Sequence, residues 1–130
     1  MQKLTTFFMF EGKAEQAINF YISVFKNSRI VAISRYGENE AGIKDTVKHA
    51  TFILNGQEFM AIDSSVKHGF TFSPATSIFV NCETRDEIDE LFAKLSQGGQ
   101  VFMPLDRYDF SERFGWVGDQ FGVTWQLSLL

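Results

Sequence analysis

The sequence predicts an α+β fold in which two βαβββ modules form a curved mixed sheet with the helices outside. Two observations predict this fold. Strand-like and helical hydrophobic spacing follow one another in the same order twice, and each copy fills about half of the chain. Glycine and asparagine turn signals separate the elements. We therefore expect a single domain over residues 1–130, with modules at about 1–66 and 67–130.

The first half reads as a strand, a helix and three further strands. The helix is predicted by apolar residues at spacings of three and four, which share one face: Ala14, Ala17, Ile18, Tyr21 and Phe25. Asn55-Gly56 indicates a tight hairpin between the last two strands. The predicted strands cover residues 4–10, 29–36, 47–54 and 58–63, and the helix covers residues 13–25.

The second half repeats this order after a polar connector over residues 64–74. Thr84 and Glu87 have the spacing of a capping box, which predicts the start of a helix over residues 84–97, and Gly98-Gly99 ends it. We expect a polar loop over residues 105–111, after Pro104. The predicted strands cover residues 76–81, 100–104, 113–118 and 123–129.

Composition excludes several classes of partner. The chain has 15 Phe among 130 residues, a formal net charge of −4 and a single cysteine, Cys82. Nucleic acids and anionic membranes attract clustered Lys and Arg, which the sequence lacks, so we expect neither as a partner. One cysteine permits no disulfide within the chain, and the amino terminus does not read as a signal peptide. We expect a cytoplasmic protein.

Four segments carry a resemblance to a known family. They are residues 10–17 (FEGKAEQA), 54–61 (LNGQEFMA), 79–84 (FVNCET) and 115–126 (GWVGDQFGVTWQ). With the repeated βαβββ order, they resemble the vicinal oxygen chelate superfamily, which includes glyoxalase I, bleomycin resistance proteins and extradiol dioxygenases. Within it the chain resembles the PhnB-like branch, which carries a demethylubiquinone methyltransferase-like label. The sequence shows no glycine-rich turn of the kind that holds a methyl donor, so the residues do not support methyl transfer.

The resemblance implies a cleft between the modules in which related enzymes hold a divalent metal with His, Glu or Gln. The matching positions in this chain are Thr5, Met60, Thr76 and Gln126. Divalent cations prefer carboxylate or imidazole ligands over these groups. We therefore expect no catalytic metal and no cofactor.

Alternation along the predicted strands, together with the resemblance, selects a ligand-binding set. If Phe8 and Phe10 face the helix, their neighbours face the cleft. The resemblance implies ligand contact at Trp116 and Gln126. The predicted ligand-binding residues are Phe7, Met9, His49, Thr51, Met60, Trp116, Thr124 and Gln126.

Each of these residues also has a structural interpretation. Phe7 and Met60 could be ordinary core, and His49, a candidate catalytic residue, could be a hydrogen-bonded strand histidine. His68 lies in the polar connector and is expected to be solvated, and Cys82 is expected to pack as a small hydrophobe.

Three functions remain open on this basis. The first is a module that binds a hydrophobic or aromatic small molecule without a catalytic metal. The second is a metal-independent isomerase or lyase that uses His49 as base and Gln126 to steer an oxyanion. The third is a metal-dependent lyase or dioxygenase. These residues are compatible with both a binding module and an enzyme, and the resemblance implies a homodimer.

Overall fold

The computed structural model describes residues 2–129, and it divides between His68 and Gly69 into two units. We call residues 2–68 module 1 and residues 69–129 module 2. Both follow the predicted order of strand, helix and three strands. The α+β class and the two βαβββ modules are confirmed, with a four-stranded mixed sheet in each module.

Module 1 has the strand order β1-β4-β3-β2. Its first and last strands, β1 and β4, pair in parallel, whereas β3 pairs antiparallel with both β4 and β2. Asn55 and Gly56 turn the β3–β4 hairpin with positive φ angles of 50° and 81°, as the sequence predicts. The elements are β1 Thr6–Phe10, α1 Ala14–Val24, β2 Arg29–Arg35, β3 Val47–Leu54 and β4 Gln57–Asp63.

Helix α1 packs on one face of this sheet through a stripe of fully buried side chains. Tyr21 of the stripe lies 6.3 Å from Phe8 of β1, measured between ring centroids. The stripe repeats at helical spacing because three or four residues bring the chain back to the same face. Its fully buried members are Ala14, Ala17, Ile18 and Tyr21.

A carboxylate from β4 caps the start of α1. The residue before the helix, Lys13, makes no side-chain capping bond among the described residues. Instead, Asp63 Oδ1 accepts the backbone N–H groups of Gly12 at 2.8 Å and Ala14 at 3.0 Å. Asp63 Oδ2 accepts the N–H of Val47 at 2.9 Å, at the start of β3. One buried side chain thereby joins a helix terminus to two strands.

Module 2 repeats the arrangement with the strand order β5-β8-β7-β6, in which β5 and β8 are parallel. Thr84 accepts the N–H of Glu87 at 3.1 Å, and Glu87 accepts the N–H of Glu83 at 2.7 Å, so the predicted capping signal is used. The elements are β5 Ile78–Cys82, α2 Arg85–Ser96, β6 Gln100–Tyr108, β7 Ser111–Gly118 and β8 Thr124–Leu129.

The prediction of a loop over residues 105–111 is wrong. Strand β6 continues through Pro104 to Tyr108, and β7 already begins at Ser111. Proline lacks an N–H to donate, but β6 is an edge strand that pairs only with β7, and its register shifts around Met103 and Asp106. Edge strands and bulges tolerate proline because no second neighbour needs the missing hydrogen bond.

The part of the chain that the structure describes contains no helix long and apolar enough to cross a bilayer.

Candidate functional site

In each module the sheet has one face covered by the helix and one face directed away from it, which we call the distal face. In module 1, alternation separates the two faces clearly. Phe8 and Phe10 are 6% and 4% exposed on the helix side, whereas Phe7 between them is 50% exposed. The predicted partners across the strands share the distal face with Phe7, because paired residues of neighbouring strands point the same way.

The register brings the module 1 candidates together. Met60 pairs with Phe7 on one side and with Thr51 on the other, and Met9 pairs with Ile62. These side chains are only partly buried. Together they present thioether, ring and aliphatic groups on the distal face. Such a surface suits apolar ligands because methionine adapts to irregular shapes.

His49 is exposed at the edge of the same surface. Its ring meets the Phe7 ring edge to face, with centroids 6.1 Å apart. Among residues 2–129 the imidazole makes no hydrogen bond, so the alternative of a hydrogen-bonded structural histidine has no support here.

In module 2 a row of three side chains crosses the distal face. Gln126 of β8 pairs with Trp116 of β7 on one side and with Phe79 of β5 on the other. Gly115, the neighbour of Trp116, faces α2, since a Cβ there would lie 2.6 Å from the Phe92 ring. Trp116 therefore points to the distal face, as do its two row partners. Phe79 is 53% exposed, which leaves a ring available beside the amide.

A chain of hydrogen bonds holds the Gln126 amide. Gln126 Nε2 donates to Ser77 Oγ at 3.4 Å, and Ser77 Oγ lies 2.7 Å from Thr124 Oγ1. Thr124 Oγ1 donates to the backbone carbonyl of Thr76 at 2.7 Å. Thr124, a predicted ligand contact, is only 3% exposed, and its hydroxyl is engaged in this chain. Within module 2 this hydroxyl holds the Ser77 hydroxyl in place.

Trp116 carries a buried donor without a partner. Its indole Nε1 is the one buried side-chain nitrogen or oxygen in residues 2–129 that has no hydrogen-bond partner. Leaving such a group unpaired costs about 1–3 kcal/mol. Unpaired buried donors are rare in folded proteins.

A cavity of about 360 Å³ opens in module 2 beside this row. Thr124 and Phe102 line it, together with Phe72 and several glycines, and the Phe102 ring lies 5.0 Å from the indole of Trp116. Of the predicted ligand-binding residues only Thr124 is in its lining. The volume is within the range of small-molecule sites.

Two further sequence candidates have structural roles. His68 bonds Ser64 through its ring Nε2 at 2.9 Å, and its backbone N–H donates to Glu11 at 3.3 Å, so it is tied into the connector rather than freely solvated. Cys82 is 4% exposed at the end of β5. Burial, reinforced by the negative charge of Glu87, raises the pKa of the Cys82 thiol to about 12.

We therefore expect the Cys82 thiol to be inert in the folded protein. The reacting species is the thiolate, and burial and the raised pKa both suppress it. At pH 8, carbamidomethylation by iodoacetamide, followed by intact-mass spectrometry, should be at least about 100-fold slower in native protein than in urea. Equal rates in the two conditions would contradict this account of Cys82.

The positions that match the superfamily's metal ligands do not suit a divalent cation. Thr5 hydrogen-bonds the Glu58 carboxylate, Met60 offers a thioether, and the carbonyl of Thr76 and the amide of Gln126 belong to the hydrogen-bond chain above. Within residues 2–129 no three His, Cys, Asp or Glu side chains are grouped as a metal site. The donor chemistry of these four positions does not fit the metal, and the absence of a catalytic metal stays a prediction.

Comparison with known families decides the affiliation. The model described as 3-demethylubiquinone-9 3-methyltransferase matches residues 2–128. The chain belongs to this family. A PhnB protein from Bacillus cereus, described as a 3-demethylubiquinone-9 3-methyltransferase, is 62% identical over 99% of this chain and 100% of its own, with a TM-score of 0.97. Protein PA1353 from Pseudomonas aeruginosa is 25% identical over 99% and 98%, with a TM-score of 0.86.

A more distant structure shares the fold of this protein. The fosfomycin resistance protein FosX from Mesorhizobium loti shares 12% identity over 100% of this chain and 93% of its own, with a TM-score of 0.65. This likeness shows the fold alone, and the fold is the glyoxalase/bleomycin resistance type. Membership of the PhnB-like branch of the vicinal oxygen chelate superfamily is confirmed. No curated protein matches the chain.

Proposed function

We propose that this chain binds a neutral hydrophobic or aromatic small molecule on the distal faces of its sheets, without a catalytic metal. The observation that carries the proposal is the row formed by Phe79, Gln126 and Trp116. Rings with exposed surface flank an amide that is held by other side chains. This combination of apolar walls and few fixed polar groups is typical of small-molecule sites.

The family description supports the same class of ligand. The matching family and its Bacillus cereus member carry the name of an enzyme that acts on demethylubiquinone. A quinone ring is flat and uncharged, which suits aromatic walls. Methyl transfer itself has no support, because the sequence has no glycine-rich turn for a methyl donor. The prediction that both distal faces line one cleft stays a prediction.

Thermal unfolding with a panel of neutral bicyclic probes tests the proposal. We choose menadione, 2-quinolone and coumarin, with 1-naphthalenesulfonate as the charged comparison. A ligand that binds only the folded state at ten times its Kd should raise stability by about 1.4 kcal/mol, or Tm by about 4 °C. We expect such shifts with neutral probes and none with the sulfonate, because Phe79, Trp116, Ser77 and Thr124 around Gln126 are uncharged.

Replacement of Phe79 by alanine localises the site. The ring is half exposed, so its loss should affect folding little while weakening the binding of neutral probes by about tenfold or more. Val101→Ala is the matched control, since Val101 is 46% exposed on the same sheet and pairs with Val117 rather than with the Gln126 row. Equal affinity of the Phe79→Ala and native proteins, or no Tm shift with any neutral probe, would overturn the proposal.

A metal-independent isomerase or lyase is the second candidate. It is favoured by His49, whose exposed ring makes no hydrogen bond among the described residues and could exchange a proton with a ligand. Isomerisation or cleavage of a carbonyl substrate by native protein, lost in His49→Ala while binding persists, would establish this activity. The homodimer and the cytoplasmic location stay predictions, and sedimentation velocity measures the first of them.

A further inference from the structure

We infer that the ligand of module 2 carries a hydrogen-bond acceptor and a hydrogen-bond donor side by side on a neutral flat ring, as in a lactam. This inference rests on the proposed function, and it names the chemistry that Gln126 recognises. The direction of each hydrogen bond in the chain that holds the Gln126 amide determines which ligand groups that amide can bind.

The direction of the chain is fixed at its inner end. The backbone carbonyl of Thr76 can only accept, so the one hydroxyl hydrogen of Thr124 is spent on it. The 2.7 Å contact between the hydroxyls of Ser77 and Thr124 therefore has Ser77 as donor. Having spent its own hydrogen, the Ser77 hydroxyl can only accept from Gln126.

The group of Gln126 that faces Ser77 must consequently be its NH₂. The bond from Gln126 Nε2 to Ser77 Oγ at 3.4 Å has this direction. An inverted amide would set Oε1 against a hydroxyl with no hydrogen left to give. Ser77 is thus a positioning residue that determines which way the amide lies.

The positioned amide has hydrogen-bonding groups that the protein does not use. An amide provides two N–H donors and one carbonyl acceptor, and the bond to Ser77 uses one donor. In residues 2–129 the Gln126 side chain makes no other hydrogen bond, so its Oε1 and its second N–H are not used by the protein. Phe79 and Trp116 lie on either side of Gln126 across the strands, where their rings can contact a flat molecule.

A ligand with one acceptor oxygen next to an N–H can bond both the second N–H and the Oε1 of Gln126. A ligand with acceptors only, such as a lactone, can satisfy the second N–H but leaves Oε1 desolvated and facing another oxygen. An acceptor that is buried without a donor loses its hydration and gains nothing in return, which lowers affinity. A carboxylate ligand would set negative charge against Oε1 as well, and Phe79 and Trp116 beside it supply no positive charge.

Two nearly isosteric probes separate these cases. In 2-quinolone a carbonyl stands beside a ring N–H, and in coumarin a ring oxygen replaces that N–H while size and shape are retained. Isothermal titration calorimetry of the full chain should show 2-quinolone binding about tenfold more tightly than coumarin, as expected when one hydrogen bond is exchanged for an unpaired acceptor.

Variants test whether the amide and its positioning residue produce this preference. In Gln126→Leu the ratio of the two dissociation constants should fall to about 1. In Ser77→Ala the Gln126 amide loses its hydrogen-bond partner, and the ratio should fall to about 2 or less. Ser77→Thr keeps a hydroxyl at this position and should keep the native ratio. Gln97→Leu, an exposed amide outside the distal face, is the control and should keep the native ratio. A Tm within a few degrees of native identifies variants that fold.

The outcomes are distinct for the two levels of the proposal. If both probes bind native protein with equal affinity, the lactam inference is overturned while the binding function stands. If Gln126→Leu retains the native ratio, Gln126 does not produce the preference for 2-quinolone, and the inference is likewise overturned. If no neutral bicyclic probe binds at all, the proposed function is overturned, and this inference with it.

Discussion

Replacing Asp63 by alanine should remove about 4 kcal/mol from the free energy of unfolding, which is a large share of the 5–15 kcal/mol that stabilises a typical domain. The Asp63 carboxylate is 2% exposed and accepts three backbone N–H groups, those of Gly12, Ala14 and Val47. The N–H groups of the buried residues Ala14 and Val47 would be left without an acceptor, at about 1–3 kcal/mol apiece, whereas Gly12 is exposed and its loss costs less.

Urea titration followed by circular dichroism measures the change, and the Tm should fall by about 10–20 °C. Asp63→Asn should fall between native and Asp63→Ala, because its carbonyl can still accept from the start of α1 while its NH₂ opposes the Val47 N–H. Asp109→Ala is the control, since Asp109 is exposed in the β6–β7 turn. Equal stability of the Asp63→Ala and Asp109→Ala proteins would contradict the capping role.

Replacing Asp119 by alanine should cost a similar amount, about 3–4 kcal/mol. Asp119 is 4% exposed in the β7–β8 turn. Its Oδ1 accepts from the backbone N–H groups of Phe121 at 2.8 Å and Val123 at 3.2 Å, and its Oδ2 accepts from Trp125 Nε1 at 2.8 Å. The β7–β8 turn and the buried Trp125 indole therefore both depend on the Asp119 carboxylate.

The near-ultraviolet circular dichroism of Trp125 gives this variant a local readout. In Asp119→Asn the turn bonds can persist while the amide NH₂ faces the indole N–H, so the tryptophan signal should change with a smaller loss of stability. Asp86→Ala, on the exposed first turn of α2, is the matched control. An Asp119→Ala protein with native stability and a native tryptophan spectrum would contradict this account of the turn.

Local patterns predicted most of the fold, and the misses have physical causes. Helical spacing located α1 and α2 to within two residues at each end, and Asn55-Gly56 located the β3–β4 hairpin. Strand β6 was underestimated because Pro104 normally ends a strand, and an edge position is a property of the assembled sheet. The cap of α1 was not predictable either, since Asp63 lies 49 residues from Ala14.

The candidate site was predictable only as far as strand parity reaches. Parity assigned Phe7, Met60 and Gln126 to the distal faces, where the structure has them. It also assigned Thr124 there, but parity could not show that other residues of this protein bury Thr124. Phe79 was missed, although its parity in the predicted strand over residues 76–81 was a usable signal. Ser77 could not be found, because its role depends on the register of β5 against β8.

A crystal structure of the protein grown with 2-quinolone tests the central claim most directly. We expect the ring against Phe79 and Trp116, with its carbonyl and N–H within about 3 Å of the Gln126 amide. A probe seated elsewhere with this row untouched would contradict it, as would a cation held by protein ligands at Gln126.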